Sequence, residues 1–134
     1  MVVKLGIDSI RTIALFEKIT NVHAKDCLIT EDCVYFLVDP DKIGLAIGKN
    51  GTVIKEVRKS LGKQVKIFGY SDKPEDMIRN MIPNIKNLNF NNETMVITVS
   101  PEDKVAVIGK NGRNIKAIKE IMERHFSIKH IKLR

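Results

Sequence analysis

The sequence predicts an α+β protein made of two copies of one unit, each with the element order α-β-β-α-α-β. Three observations carry this. The tetrapeptide Gly48-Lys49-Asn50-Gly51 recurs as Gly109-Lys110-Asn111-Gly112, 61 residues later (109 − 48). The same register pairs Pro40 with Pro101, Ile47 with Ile108, Ile54 with Ile115, Lys55 with Lys116, Val57 with Ile118 and Leu61 with Met122. A repeat of this length means one structural unit present twice. In each copy, two short strand-like runs precede the tetrapeptide and a helical apolar pattern follows it.

The first unit opens with an apolar-rich stretch at residues 8–20, read as a helix with Asp8 or Ser9 as N-cap and Ile10, Ile13 and Ala14 toward the core. Strands are expected at Lys25–Thr30 and Cys33–Val38, around the polar turn Glu31-Asp32. Asp39 reads as an N-cap and Pro40 as the first residue of a short helix running to about Ile47. After the Gly turn, Ile54, Val57 and Leu61 are spaced i, i+3, i+7 and form one stripe of a second helix, which Gly62 closes. The unit ends with a strand at Gln64–Phe68.

The second unit repeats the order. Pro74, Glu75 and Asp76 start a helix with Met77, Ile78, Met81 and Ile82 inward, and Pro83 stops it. Strands fit Ile85–Phe90 and Thr94–Val99, with Asn91-Asn92-Glu93 between them. Ser100 and Asp103 resemble a capping box around Pro101. A short helix, the Gly turn and a longer helix burying Ile115, Ile118 and Met122 lead to a strand at Ile128–Leu133. The expected domains are residues 1–69 and 70–134. The short linker at residues 69–74 predicts a stiff tandem.

Composition is that of an ordinary globular protein, 43% hydrophobic and 29% charged. No run reaches the 18 apolar residues a membrane span needs, and the N-terminus lacks a signal-peptide pattern, so a cytoplasmic location is expected. Cys27 and Cys33, in apolar runs with five residues between them, read as buried thiols. His23, His125 and His130 are scattered, so no metal site is expected. The net charge of +7 is unevenly placed. Residues 1–41 hold 4 basic and 7 acidic side chains, and residues 67–103 hold 3 and 6. Residues 42–66 hold 7 and 1, and residues 104–134 hold 9 and 2. All the excess positive charge falls on the two segments that carry the Gly turns, which points to a polyanion.

A Gly-flanked turn feeding a helix N-terminus lets a phosphate approach the backbone. Lys49 and Lys110 add a positive charge at the turn, and Lys55, Arg58 and Lys59, with Arg113, Lys116 and Lys119, lie off the buried stripes. Nucleotide hydrolysis is disfavoured. Gly44-Leu45-Ala46-Ile47-Gly48-Lys49-Asn50 has three residues between its glycines where a P-loop has four, and Asn where the magnesium-binding hydroxyl belongs. There is no dinucleotide-binding glycine pattern, nucleophile–base pair or carboxylate dyad, so the chain is not expected to be an enzyme or to need a cofactor.

Val107 to Ile118 and Ala46 to Val57 both resemble the KH-domain signature I-G-x-x-G-x-x-I over its full length. The order α-β-β-α-α-β matches the type II arrangement of that family, which implies two tandem type II KH domains, each with a three-stranded mixed sheet packed against helices. In KH domains the Gly-x-x-Gly loop clamps about four single-stranded nucleotides. The resemblance therefore implies single-stranded RNA as partner. Its contacts would come from Ile47, Gly48, Lys49, Asn50, Gly51, Ile54, Lys55, Arg58 and Lys59 in the first copy. Ile108, Gly109, Lys110, Asn111, Gly112, Arg113, Ile115, Lys116 and Lys119 would serve in the second. The isoleucines would floor an apolar groove flanked by the two helices.

Two adjacent units of this type look like the archaeal NusA family of transcription termination and antitermination factors, over residues 5–134. That resemblance implies binding of nascent transcript by a monomer, with RNA polymerase or the elongation complex as a further partner. The bacterial form has polymerase-binding and barrel domains before its KH pair. Here the first KH helix is expected within ten residues of Met1, so contacts through those domains are not carried over. The alternatives are a ribosome-associated protein and a general single-stranded nucleic-acid binder. With 2 Tyr, 5 Phe and no Trp, recognition by aromatic stacking has little to work with.

Overall fold

The computed structural model describes residues 7–134. These divide into two compact units, one ending at Ser71 and the other beginning at Asp72. Each contains three helices and a three-stranded mixed sheet, the architecture of a type II KH domain.

In the first unit α1 (Ile7–Thr20) turns Ile13, Phe16 and Thr20 inward, at spacing i, i+3, i+7. The expected inward face was different: Ile10 is 54% exposed and Ala14 is also exposed. Apolar residues occur on more than one side of this helix. Phe16, with the largest surface to bury, selects the face and stacks on Phe36 with centroids 4.1 Å apart. Asp8 and Ser9 sit inside the first turn rather than capping it. At the other end Thr20 Oγ1 donates to the Phe16 carbonyl (2.8 Å) and accepts from the Val22 N–H (3.1 Å), while Asn21 turns left-handed at φ 58°.

Strands β1 (Ala24–Ile29) and β2 (Cys33–Val38) pair antiparallel, with a register shift between Ala24 and Asp26. β3 (Gln64–Gly69) pairs parallel to β2. The central strand β2 is buried at all six positions, which is why its sequence CVYFLV shows no apolar–polar alternation. Between β2 and β3 come a 3₁₀ turn (Pro40–Lys42), α2 (Ile43–Ile47), a second 3₁₀ turn (Lys49–Gly51) and α3 (Thr52–Leu61). The core joins Ile13 and Phe16 to Val34, Phe36 and Val38 of the sheet and to Ala46, Ile54 and Val57 of the helices. Gly62 ends α3 in the left-handed conformation, φ 66°.

The second unit has α4 (Pro74–Met81), β4 (Asn87–Asn91), β5 (Thr94–Thr98), α5 (Pro101–Ile108), α6 (Arg113–Phe126) and β6 (His130–Leu133). Met77, Ile78 and Met81 are buried on α4, which packs against α6. β4 pairs antiparallel and β6 parallel with β5. β4 starts two residues later than expected because Asn84, just after Pro83, is left-handed at φ 60°. β6 also starts late. Ser127 takes φ 57°, and the Ile128 N–H reaches back to the Met122 carbonyl (3.4 Å), so Ile128 closes the helix instead of opening the strand. Ser100 caps α5 by accepting from the Asp103 N–H at 3.2 Å. Its hydroxyl donates in turn to Asp103 Oδ2 at 2.8 Å.

Candidate nucleic-acid interface

The two tetrapeptides adopt one backbone conformation. Gly48 has φ 78°, ψ 169° and Gly109 has 75°, 173°. Asn50 and Asn111 both have φ 56°, with ψ 26° and 27°. Gly51 and Gly112 both have φ 72°, with ψ 18° and 13°. Three of the four residues thus have positive φ, and the sequence supplies Gly, Asn and Gly at those places. A hydrogen bond from the second glycine N–H to the first glycine carbonyl closes each turn at 3.1 Å.

The two glycines of a loop are needed for different reasons. A Cβ on Gly48 would lie 2.4 Å from Val53 Cγ2 and 2.9 Å from its backbone nitrogen. On Gly109 it would lie 2.8 Å from Asn114 Cβ and 3.0 Å from that residue's nitrogen. The helix therefore starts directly against the first glycine. Around Gly51 and Gly112 the nearest atoms are 3.9 and 3.8 Å away, so conformation alone requires glycine there.

Among the helices of eight residues or more, the N-termini behind the loops differ from the others, while the five-residue α2 also lacks a first-turn acid. α1 carries Asp8 in its first turn, α4 carries Glu75 and Asp76, and α5 carries Glu102 and Asp103. α3 and α6 carry no acid there and start on a glycine with no side-chain cap. The partial positive charge of these two termini is therefore left for an anion.

The expected contact residues do not all converge. Lys49, Lys55, Lys110, Lys116 and Lys119 are exposed, and Arg113 is half-buried. Ile47 is 37% exposed at the loop, while Ile108 and Ile115 are half-buried. Ile54, at 8%, belongs to the core and offers little surface for contact. Arg58 and Lys59 lie two turns along α3, about 10 Å from Gly51 at 1.5 Å per residue. There they border a cavity with Gly62, Lys63, Gln64, Glu31 and Asp32. The Nε of Arg58 is buried with no hydrogen-bond partner, and Lys63 Nζ donates to the Thr30 carbonyl at 2.8 Å.

Sequence reasoning missed the residue behind the first glycine. In the second unit it is Asn114, 8% exposed, whose Nδ2 donates to the Val107 carbonyl at 3.0 Å and ties α6 to α5 across the loop. Val53 holds that place in the first unit. The signal was available as a mismatch in the repeat register (114 − 53 = 61), polar in one copy and apolar in the other. Among the described residues no three His, Cys, Asp or Glu side chains are grouped to hold a metal ion, and no helix is long and apolar enough to cross a membrane.

Comparison with known proteins agrees with this architecture. Residues 10–87 and 82–134 each match the KH domain family. The probable transcription termination protein NusA of Methanocaldococcus jannaschii is 34% identical, over 98% of this chain and 75% of its own length. Its namesake from Halococcus morrhuae is 31% identical over 99% of both chains, and that of Halobacterium salinarum 33% over 99% of both. The crystal structure of APE1850 superposes with a TM-score of 0.82 at 33% identity, covering 97% of this chain and all of the other. The chain belongs to the KH-domain family, as a tandem of two type II units akin to the archaeal NusA proteins.

Proposed function

We propose that the chain binds single-stranded RNA, the nascent transcript, through its two Gly-x-x-Gly loops and acts in transcription termination or antitermination. The observation that carries this is the pair of loops with matching backbone angles, each feeding an uncapped, acid-free helix N-terminus. A phosphate at each loop would meet the helix dipole, the lysine of the turn and a basic residue one turn on, Lys55 or Lys116. Each KH unit would take about four nucleotides. Membership of the KH family supports RNA as ligand, and the names of the archaeal relatives support the place in transcription. RNA polymerase or the elongation complex is the partner that such a role implies.

The test is charge reversal at both loops: Lys49→Asp with Asn50→Asp, and Lys110→Asp with Asn111→Asp, separately and together. These side chains are exposed, so folding should change little. Affinity for single-stranded RNA at fixed salt is expected to fall for each pair and to collapse for both. A folded protein with all four substitutions and unchanged affinity would sink the reading.

A further inference from the structure

We propose that Gly44 and Val105 set the size of the base each unit accepts, so that the first unit takes a purine where the second takes a pyrimidine. This rests on the reading that RNA lies along the Gly-x-x-Gly loops. The two residues are equivalent, since 105 − 44 gives the same 61-residue register as the loops. Ala46 and Val107, two residues further on, are buried at 0% and 4%. A residue two positions away points to the far side of the helix, and one three positions before Ile47 or Ile108 shares that isoleucine's face. Gly44 and Val105 therefore stand on the outer face that leads into each loop.

What they present there differs. Gly44 is exposed, and a Cβ built on it meets nothing within 4 Å. Val105 is 75% exposed, the highest value among the exposed large hydrophobics of the described residues. Neither residue serves its helix. Glycine is a poor helix former, and a β-branched side chain left in water contributes neither packing nor propensity. The bare backbone at Gly44 leaves open space above it, which in this proposal a two-ring base occupies. The isopropyl group of Val105 fills that volume in the second unit, leaving room and apolar contact for a single ring. A hydrophobic difference of this size discriminates between ligands by roughly tenfold or more.

The test uses the full chain with one loop silenced by the charge reversals above, so that the other unit reports alone. Affinities for adenine and uracil RNA octamers are measured by fluorescence anisotropy at fixed salt. With the second loop silenced, Gly44→Val should lower the adenine-to-uracil affinity ratio by roughly tenfold. With the first loop silenced, Val105→Gly should raise that ratio by a similar factor, and Val105→Ala, which keeps a good helix former, should raise it part of the way. Ratios unmoved by more than about twofold, in proteins whose RNA binding does depend on the loops, overturn the size selection and leave the RNA reading standing. Affinity that ignores the loop reversals overturns both.

Discussion

Gly48→Ala and Gly51→Ala differ by a single methyl at two ends of one turn, yet the structure assigns them unequal costs. At Gly48 the backbone (φ 78°, ψ 169°) lies in a region that only glycine occupies freely, worth about 1–3 kcal/mol for alanine. The added carbon would also sit 2.4 Å from Val53 Cγ2 and 2.8 Å from Val53 Cβ, and overpacking of that kind costs about 1–3 kcal/mol. The sum is about 2–6 kcal/mol for Gly48→Ala. At Gly51 only the left-handed conformation opposes alanine, at about 1–2 kcal/mol, since the nearest atom is 3.9 Å away. Amide hydrogen exchange in β2 reports the first unit by itself and is the assay of choice. Val53→Ala in the Gly48→Ala background removes the closest clashing atom and should recover part of the loss, a coupling visible in a double-mutant cycle. In the second unit the crowding atoms are Asn114 Cβ and N, which Asn114→Ala retains, so no rescue of Gly109→Ala is expected. Equal costs at Gly48 and Gly51, or no coupling with Val53, would refute the close approach of helix to glycine.

Three further outcomes follow from the same geometry. Lys49→Ala and Lys110→Ala should each reduce the salt dependence of RNA binding by about 0.7 in the slope of log affinity against log salt, one phosphate contact apiece. An unchanged slope would remove that lysine from the interface. Asn114→Ala leaves the Val107 carbonyl without its 3.0 Å donor, and should cost about 1–3 kcal/mol and speed amide exchange at residues 109–112. Exchange there no faster than in the parent protein would mean the bond does not hold the loop. The exposed Asp39 carboxyl titrates above its ordinary value of 3.8, first because of its hydrogen bond to the Asp41 side chain, then through slight desolvation and Asp41's charge, with the Asp41 backbone hydrogen bond and then Lys25 opposing. A raised pKa means stability that is present below the ordinary value and lost as pH rises through the shifted one. Asp41→Ala should return Asp39 toward 3.8 in a carboxyl-carbon NMR titration. An unmoved Asp39 would contradict the pairing.

Most of the fold was legible because it occurs twice: a repeat register converts a weak local pattern into an aligned pair. β2 was placed to the residue, Cys33–Val38, since a continuous apolar run bounded by polar turns has few other readings. The inward face of α1 was not legible, because apolar residues surround that helix and only the ring stacking of Phe16 on Phe36 chooses between faces. The late starts of β4 and β6 depend on left-handed residues at Asn84 and Ser127; asparagine tolerates that conformation without requiring it, since Asn80 is helical and Asn87 lies in a strand, and serine carries no such signal. The loops themselves were visible in four letters, and their conformation explains the third one, since Asn is the side chain most tolerant of φ near 56°. Burial was the part that sequence could not divide. Ile54 and Ile115 share a repeat position, but one is core and the other half-exposed.

The absence of acid from the first turns of α3 and α6 sets stability against binding, and one substitution tests the balance. A chain shaped only for folding would place Asp or Glu there, as α1, α4 and α5 do. Thr52 is exposed at the first position of α3, and its hydroxyl donates to the Lys49 carbonyl at 2.9 Å. Thr52→Glu exchanges that exposed bond for a carboxylate at the positive end of the helix, a gain of about 0.3–1 kcal/mol at low salt. The same carboxylate stands where a phosphate would lie, so RNA affinity should fall while the first unit becomes more resistant to denaturant. Both effects should shrink together as salt is added. A loss of affinity with no gain in stability would show that the terminus was already satisfied. A gain in stability with undiminished affinity would show that RNA does not use it.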